Sequence, residues 1–179
     1  MPALRVGSDF RRRYPQASPR ATESAMNLVR TGDLIVGRVA ALVRKLDLTP
    51  ASGLVLSILV DAGTPLPPHE IGRRLIVTRA TVTGLIDSLA RREFVHRLPN
   101  PQDRRSLLVE ITPKGRRVVG AFRPLVHRRQ RVWLEALSEK EQEALVELLG
   151  RIQDHLSGLP PEGTPNRVRG VPPHDTPPT

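Results

Sequence analysis

Apolar residues recur along the chain at two different periods. Leu28, Leu34, Ile35, Val39, Leu42, Val43 and Leu46 fall at helical spacing behind a Ser18-Pro19 cap pair. They predict one long helix ending near Asp47. Thr49-Pro50 opens a second helix by the same signal. Its Leu54, Val55, Ile58 and Leu59 mark it as largely buried, and Ala62-Gly63-Thr64-Pro65 ends it. Pro67-Pro68 start a third helix over His69–Leu75, with Ile71 and Leu75 inward. Thr78 caps a fourth, Arg79 to Arg92, whose Val82, Leu85, Ile86 and Leu89 form one stripe.

The period then shortens. Phe94–Leu98 and Leu107–Ile111 read as two strands, and the turn-rich Pro99–Arg105 stretch between them makes a hairpin. Thr112-Pro113 caps a fifth helix running to Ala136. Ser138-x-x-Glu141 is a capping box, and Leu145, Leu148, Leu149, Ile152 and Leu156 lie on one face of a last helix. The predicted fold is mainly α: six helices plus a two-to-three-stranded β-wing. Residues 1–18, with Arg11, Arg12 and Arg13 and little periodicity, read as a mobile basic arm. Residues 157–179, rich in Pro and Gly, read as a disordered tail.

Composition narrows the function classes. Aromatics are only 3%, so aliphatic side chains must build the core, which suits packed helices. The absence of cysteine excludes disulfides, thiolate metal sites and thiol redox switching. No apolar run is long enough to span a bilayer, and the opening residues lack the layout of a secretory signal. A cytoplasmic protein without membrane contact is expected. The net charge is +10, and its placement matters more than its size. The segment His69–Arg131 carries the whole excess, and the rest of the chain is balanced. A basic segment on a neutral frame is an electrostatic footprint for a polyanion.

The same segment holds two short helices joined at Ile76-Val77-Thr78, followed by the hairpin. That order is a helix-turn-helix with a wing. Burying the Val82–Leu89 stripe leaves Arg79, Ala80, Thr81, Thr83 and Gly84 on the opposite face, behind the cap Thr78. Short and basic residues there let a helix sit deep in the major groove, with Thr78, Arg79, Thr81 and Thr83 as candidate contacts. At the wing tip Arg104 and Arg105 suit the minor groove, with Asp103 near enough to orient one of them. Arg91, Arg92 and Arg97 are candidate phosphate contacts. The histidines are scattered, and there is no phosphate-cradling loop or nucleophile elbow. No enzyme, cofactor or metal is therefore expected. His69 with Glu70 and His155 with Asp154 are the nearest approach to a metal pair, and neither has helical ligand spacing.

At this point the residues resemble the MarR-type winged-helix regulators. LTPASGLVLSIL is similar to that family's second helix. PPHEIGRRLIVTRATVTGLIDSLARREFVHRLPNPQDRRSLLVEITPKGRRVV is similar to its DNA-binding module, and LSEKEQEALVELL to its last helix. Asp103-Arg104-Arg105 matches the family's Asp-x-Arg wing signature. The resemblance implies a homodimer in which residues 19–48 and 113–156 form a helical dimerisation region. It implies that 49–112 is the winged module reading a pseudo-palindromic operator. A ligand-responsive repressor follows, with a possible small-molecule effector whose contact residues are unknown. Gly84 stands where many members carry a larger contact residue, and Glu93 where a glycine often ends the recognition helix. A winged helix used for protein or RNA binding is the alternative. The scarcity of aromatics and the wealth of arginines weigh against it.

Overall fold

The structure, a computed structural model, describes residues 1–75, 78–103 and 106–160. The Ile76-Val77 turn, the wing arginines Arg104 and Arg105, and the tail from residue 161 lie outside the described residues. The chain divides into two compact units, Met1–Gln130 and Arg131–Thr179.

The first unit holds α1 (Phe10–Arg13), α2 (Pro19–Val43), a 3-10 turn (Arg44–Leu46), α3 (Pro50–Ala62), α4 (Pro68–Leu75) and α5 (Arg79–Arg91). The strands β1 (Val95–Pro99) and β2 (Leu107–Ile111) follow, and α6 (Pro113–Trp133) starts in this unit. The second unit holds α7 (Glu139–Gly158). Helix starts form where local chemistry dictates. Ser18, Thr49 and Thr78 each accept a hydrogen bond from the backbone N–H three residues on, which satisfies a donor the helix cannot. Ser138 and Glu141 close the predicted capping box: the Glu141 carboxylate accepts from Ser138 N–H at 2.8 Å. α7 runs through Gly158, slightly into the stretch expected to be disordered.

Three helix ends need more than capping. α2 stops at Val43 and tightens into the 3-10 turn, and Asp47 turns left-handed at φ 53°. Gly63 ends α3 at φ 67°, a conformation that favours glycine. Glu93, after α5, has φ 60°, so it takes up the geometry a glycine would supply more cheaply.

The core of the first unit packs Val55, Leu56 and Leu59 of α3 against Ile71, Val82, Ile86 and Leu89, with Val95 and Val109 from the sheet. Fully burying each such aliphatic side chain contributes about 1.5–3 kcal/mol. The sheet is antiparallel, from Val95 opposite Ile111 to Pro99 opposite Leu107. The third strand is reduced to one bridge, Leu66 with Val109, held by bonds of 3.0 and 2.8 Å. β1 begins one residue later than the pattern predicts. Phe94 turns into the core instead, and its carbonyl accepts from Thr112 N–H at 3.0 Å.

The arm read as mobile has anchors on α2. The Asn27 amide accepts from Leu4 N–H at 2.9 Å and donates to the Leu4 carbonyl at 3.0 Å. Glu23 holds Arg5 at 2.8 Å and accepts from Val6 N–H. These contacts and α1 give the arm local structure that the apolar spacing does not predict. A pattern of apolar spacing does not register polar side chains that tie an extended segment to a helix.

Candidate nucleic-acid interface

Helix α5, the expected recognition helix, is oriented by its buried side. Val82, Ile86 and Leu89 are buried, while Thr78, Arg79, Ala80, Thr81, Thr83 and Gly84 are exposed. The four candidate major-groove residues are therefore all accessible at one end of the helix. Local bonds already orient the hydroxyls. Thr78 and Thr81 share a hydrogen bond between their Oγ1 atoms at 2.9 Å, and Thr83 Oγ1 donates to the Arg79 carbonyl at 3.0 Å. The Thr81 and Thr83 hydroxyls keep acceptor lone pairs for a ligand. Arg79 makes no ion pair or side-chain hydrogen bond with the described residues. A Cβ at Gly84 would meet nothing within 4 Å, so the centre of this face is open.

The preceding helix carries a compact charge cluster. Arg73 donates twice to the Glu70 carboxylate, at 2.9 and 2.8 Å, and Arg74 donates once at 2.9 Å. Hydrogen bonds from Arg73 and then Arg74 pull the Glu70 carboxyl down to about 2. Glu70, named above as half of a possible metal pair, is thus committed to arginine. Among the described residues no cluster of metal-ligating side chains occurs.

The wing loop is closed by its own side chains. Asn100 Nδ2 donates to Ser106 Oγ at 2.8 Å, and Asn100 Oδ1 accepts from Gln102 N–H at 3.0 Å. The Asp103 carbonyl accepts from Ser106 N–H at 3.0 Å and from its hydroxyl at 3.1 Å. Asp103 is exposed at the tip of this loop, beside the two arginines outside the described residues. A cleft of about 230 Å³ separates the wing from α5, with Thr83 and Ile86 on one wall and Arg97 and Leu107 on the other. The two elements expected to read DNA are therefore neighbours.

The three candidate phosphate contacts divide. Arg91 is exposed and unpaired among the described residues. Arg97, on β1, forms an ion pair with Asp87 of α5, which ties the wing to the recognition helix. Arg92 is corrected. Its guanidinium donates to the carbonyls of Asp47 and Leu46, the latter at 2.8 Å, and lies 4.6 Å from the Phe94 ring centroid. Two of its five N–H donors are thus engaged by backbone, which ties it to the frame.

The sequence marks Thr112 as a helix cap, and the structure gives it further partners behind the wing. Thr112 is buried. Its Oγ1 donates to the Glu93 carbonyl at 2.8 Å and accepts from Gly115 N–H at 3.0 Å. A Cβ on Gly115 would lie 2.3 Å from the Phe94 carbonyl oxygen, so only glycine lets α6 approach the hairpin. Lys114 pairs with Glu93 at 2.9 Å and holds its carboxyl below the usual range. The Thr-Pro-Lys-Gly string was the available signal; its spatial partners were not.

A separate cavity of about 380 Å³ opens between α2, α3 and α6. Ile35, Val39, Val43 and Phe122 give it apolar walls. Arg123, paired with Asp61 at 2.7 Å, and His127 give it polar ones.

Comparison with known proteins places this geometry. The model of the MarR family matches residues 48–107, which covers α3, both helix-turn-helix helices and most of the hairpin. The chain is 36% identical to the HTH-type transcriptional repressor YetL of Bacillus subtilis, over 58% of this chain and 62% of that protein. The match thus spans less than two thirds of YetL. It is 31% identical to the HTH-type transcriptional repressor NicR of Pseudomonas putida, over 60% of this chain and 68% of that protein. Among solved structures it resembles Bordetella bronchiseptica BpsR, whose DNA binding is regulated by 6-hydroxynicotinic acid. That likeness has a TM-score of 0.66 at 29% identity and covers 71% of this chain and 90% of that one.

Proposed function

The chain belongs to the MarR family, its relatives are HTH-type transcriptional regulators, and from that premise we propose that it binds duplex DNA at an operator and represses transcription. The observation that carries this reading is the exposed face of α5. It offers Arg79, two oriented threonine hydroxyls and a helix N-terminus beside the wing. In this reading Thr78, Arg79, Thr81 and Thr83 meet the major groove. Asp103, Arg104 and Arg105 serve the minor groove, and Arg91 and Arg97 meet phosphate. No catalytic step and no cofactor are assigned to the chain.

The working unit is a homodimer. α7 leaves Leu148, Ile152 and Leu156 at least 40% exposed, and α2 leaves Met26, Val29 and Leu34 exposed. Aliphatic stripes of this kind need a partner surface, and a second copy supplies it with the symmetry a pseudo-palindrome requires. The cavity between α2, α3 and α6 takes the effector, a small molecule with an apolar body and a polar group facing Arg123 and His127. Its size falls within the range of small-molecule sites. Among the described residues no helix is long and apolar enough to cross a membrane, which accords with a cytoplasmic regulator.

The test is a salt series of binding to duplex fragments from the chain's own upstream region. Specific binding with steep salt dependence is expected. Arg79→Ala and Arg105→Ala should each weaken it without lowering Tm. Flat, salt-insensitive binding of the unsubstituted protein would sink the regulator reading.

A further inference from the structure

Arg92 caps the C-terminal end of α5, yet its guanidinium reaches a different part of the chain. It donates to the carbonyls of Leu46 and Asp47, where the 3-10 turn closes after α2. Carbonyls at a helix end lack intrahelical donors, and here one side chain serves two of them. The guanidinium also lies over the ring of buried Phe94, whose centroid Lys114 Nζ approaches at 5.5 Å. Planar, five-donor arginine fits this site as lysine does not. The clamped segment lies between Val43 and Pro50, both of which line the α2–α3–α6 cavity.

We propose that Arg92 is a positioning residue for DNA recognition: it fixes the end of α5 to the end of α2 and so sets the recognition helix without touching DNA. This rests on the reading of α5 as the DNA-contacting helix. It also makes the end of α2, which forms part of the cavity wall, mechanically continuous with that helix.

Arg92→Ala and Arg92→Lys are compared with the unsubstituted protein by anisotropy on a duplex from its upstream region, across a salt series, with the active fraction fixed by stoichiometric titration. Charged hydrogen bonds to backbone are strong enough that about a tenfold loss of affinity is expected for both variants, with the salt slope unchanged. A phosphate contact behaves differently. Its removal lowers the slope by about 0.9, and lysine restores it. A reduced slope, rescue by lysine, or unchanged affinity each overturns the proposal. Amide hydrogen exchange on the free protein gives a second readout that needs no DNA. In Arg92→Lys, which keeps the aliphatic stem and the fold, the amides of Asp47 and Leu48 and those of the last turn of α5 should lose protection together. Faster exchange on one side only, or on neither, also overturns the proposal. Failure of the unsubstituted protein to bind duplex DNA is seen before any variant is made, and it overturns the regulator reading itself.

Discussion

Two helices of this chain carry the same apolar spacing and end in opposite environments. In α5, Val82, Ile86 and Leu89 are 1–2% exposed. In α7, Leu148, Ile152 and Leu156 are 40–60% exposed. Both stripes make an amphipathic helix, and both helices have strong N-caps. The difference lies in what surrounds them. α5 is enclosed by α3, α4 and the hairpin within its own unit, so its exposed face is the face left over for a ligand. α7 has no such enclosure, so its apolar stripe is exposed along with its polar side. A stripe buried by its own unit leaves the opposite face exposed, whereas a stripe left bare is itself exposed; in the proposed reading the first face serves DNA and the second a partner copy.

The sharpest test of that contrast is one substitution made twice. Ile86→Ala should cost about 2–5 kcal/mol of stability at any protein concentration, measured by denaturant unfolding. Ile152→Ala should cost little in dilute solution and more as concentration rises, because the bare stripe is buried only on association. Equal costs at all concentrations would erase the distinction between the helices. A stronger perturbation of the second region, Leu148→Asp with Ile152→Asp, should convert a sedimenting dimer to monomer. A monomeric unsubstituted protein would contradict the dimer reading.

Two glycines sharpen the comparison within the first unit. Gly115→Ala should destabilise by about 1–3 kcal/mol, because its Cβ would strike the Phe94 carbonyl and Ile111. Gly84→Lys should stabilise α5 by a few tenths of a kcal/mol to about 1 kcal/mol, since the site is open and glycine is a poor helix former. It should also steepen the salt dependence of DNA binding by about 0.9 through one new phosphate contact. A destabilised Gly84→Lys would mean that the face is not open.

The smallest effect concerns Glu70. Its folded-state pKa, about 2, lies below the ordinary 4.5, so its contribution is present above pH 4.5 and is lost as pH falls toward 2. Glu70→Gln should lower Tm slightly at pH 6, and the difference should vanish near pH 2. A difference that persists at pH 2 would rule out the arginine pair as its source. The cluster is exposed, so the shift in Tm is expected to be small.

The sequence by itself determined what depends on neighbours three or four residues away. The caps at Ser18, Thr49, Thr78 and Ser138, the α5 stripe, and the open face around Gly84 all follow from that local periodicity. The hairpin was legible too, apart from the one-residue shift caused by Phe94 turning inward. Only the tertiary structure decided the contacts that close over long separations. Arg92 and Arg97 look alike in the chain, yet one clamps carbonyls 45 and 46 residues away and the other pairs with Asp87. The arm's attachment to Asn27 and Glu23, the Leu66 bridge and the tight seam at Gly115 belong to the same class. The physical reason is the same throughout. Capping and amphipathic spacing are properties of one turn of backbone, whereas an arginine's partner is chosen by whichever carbonyl or carboxylate the packed core brings within reach.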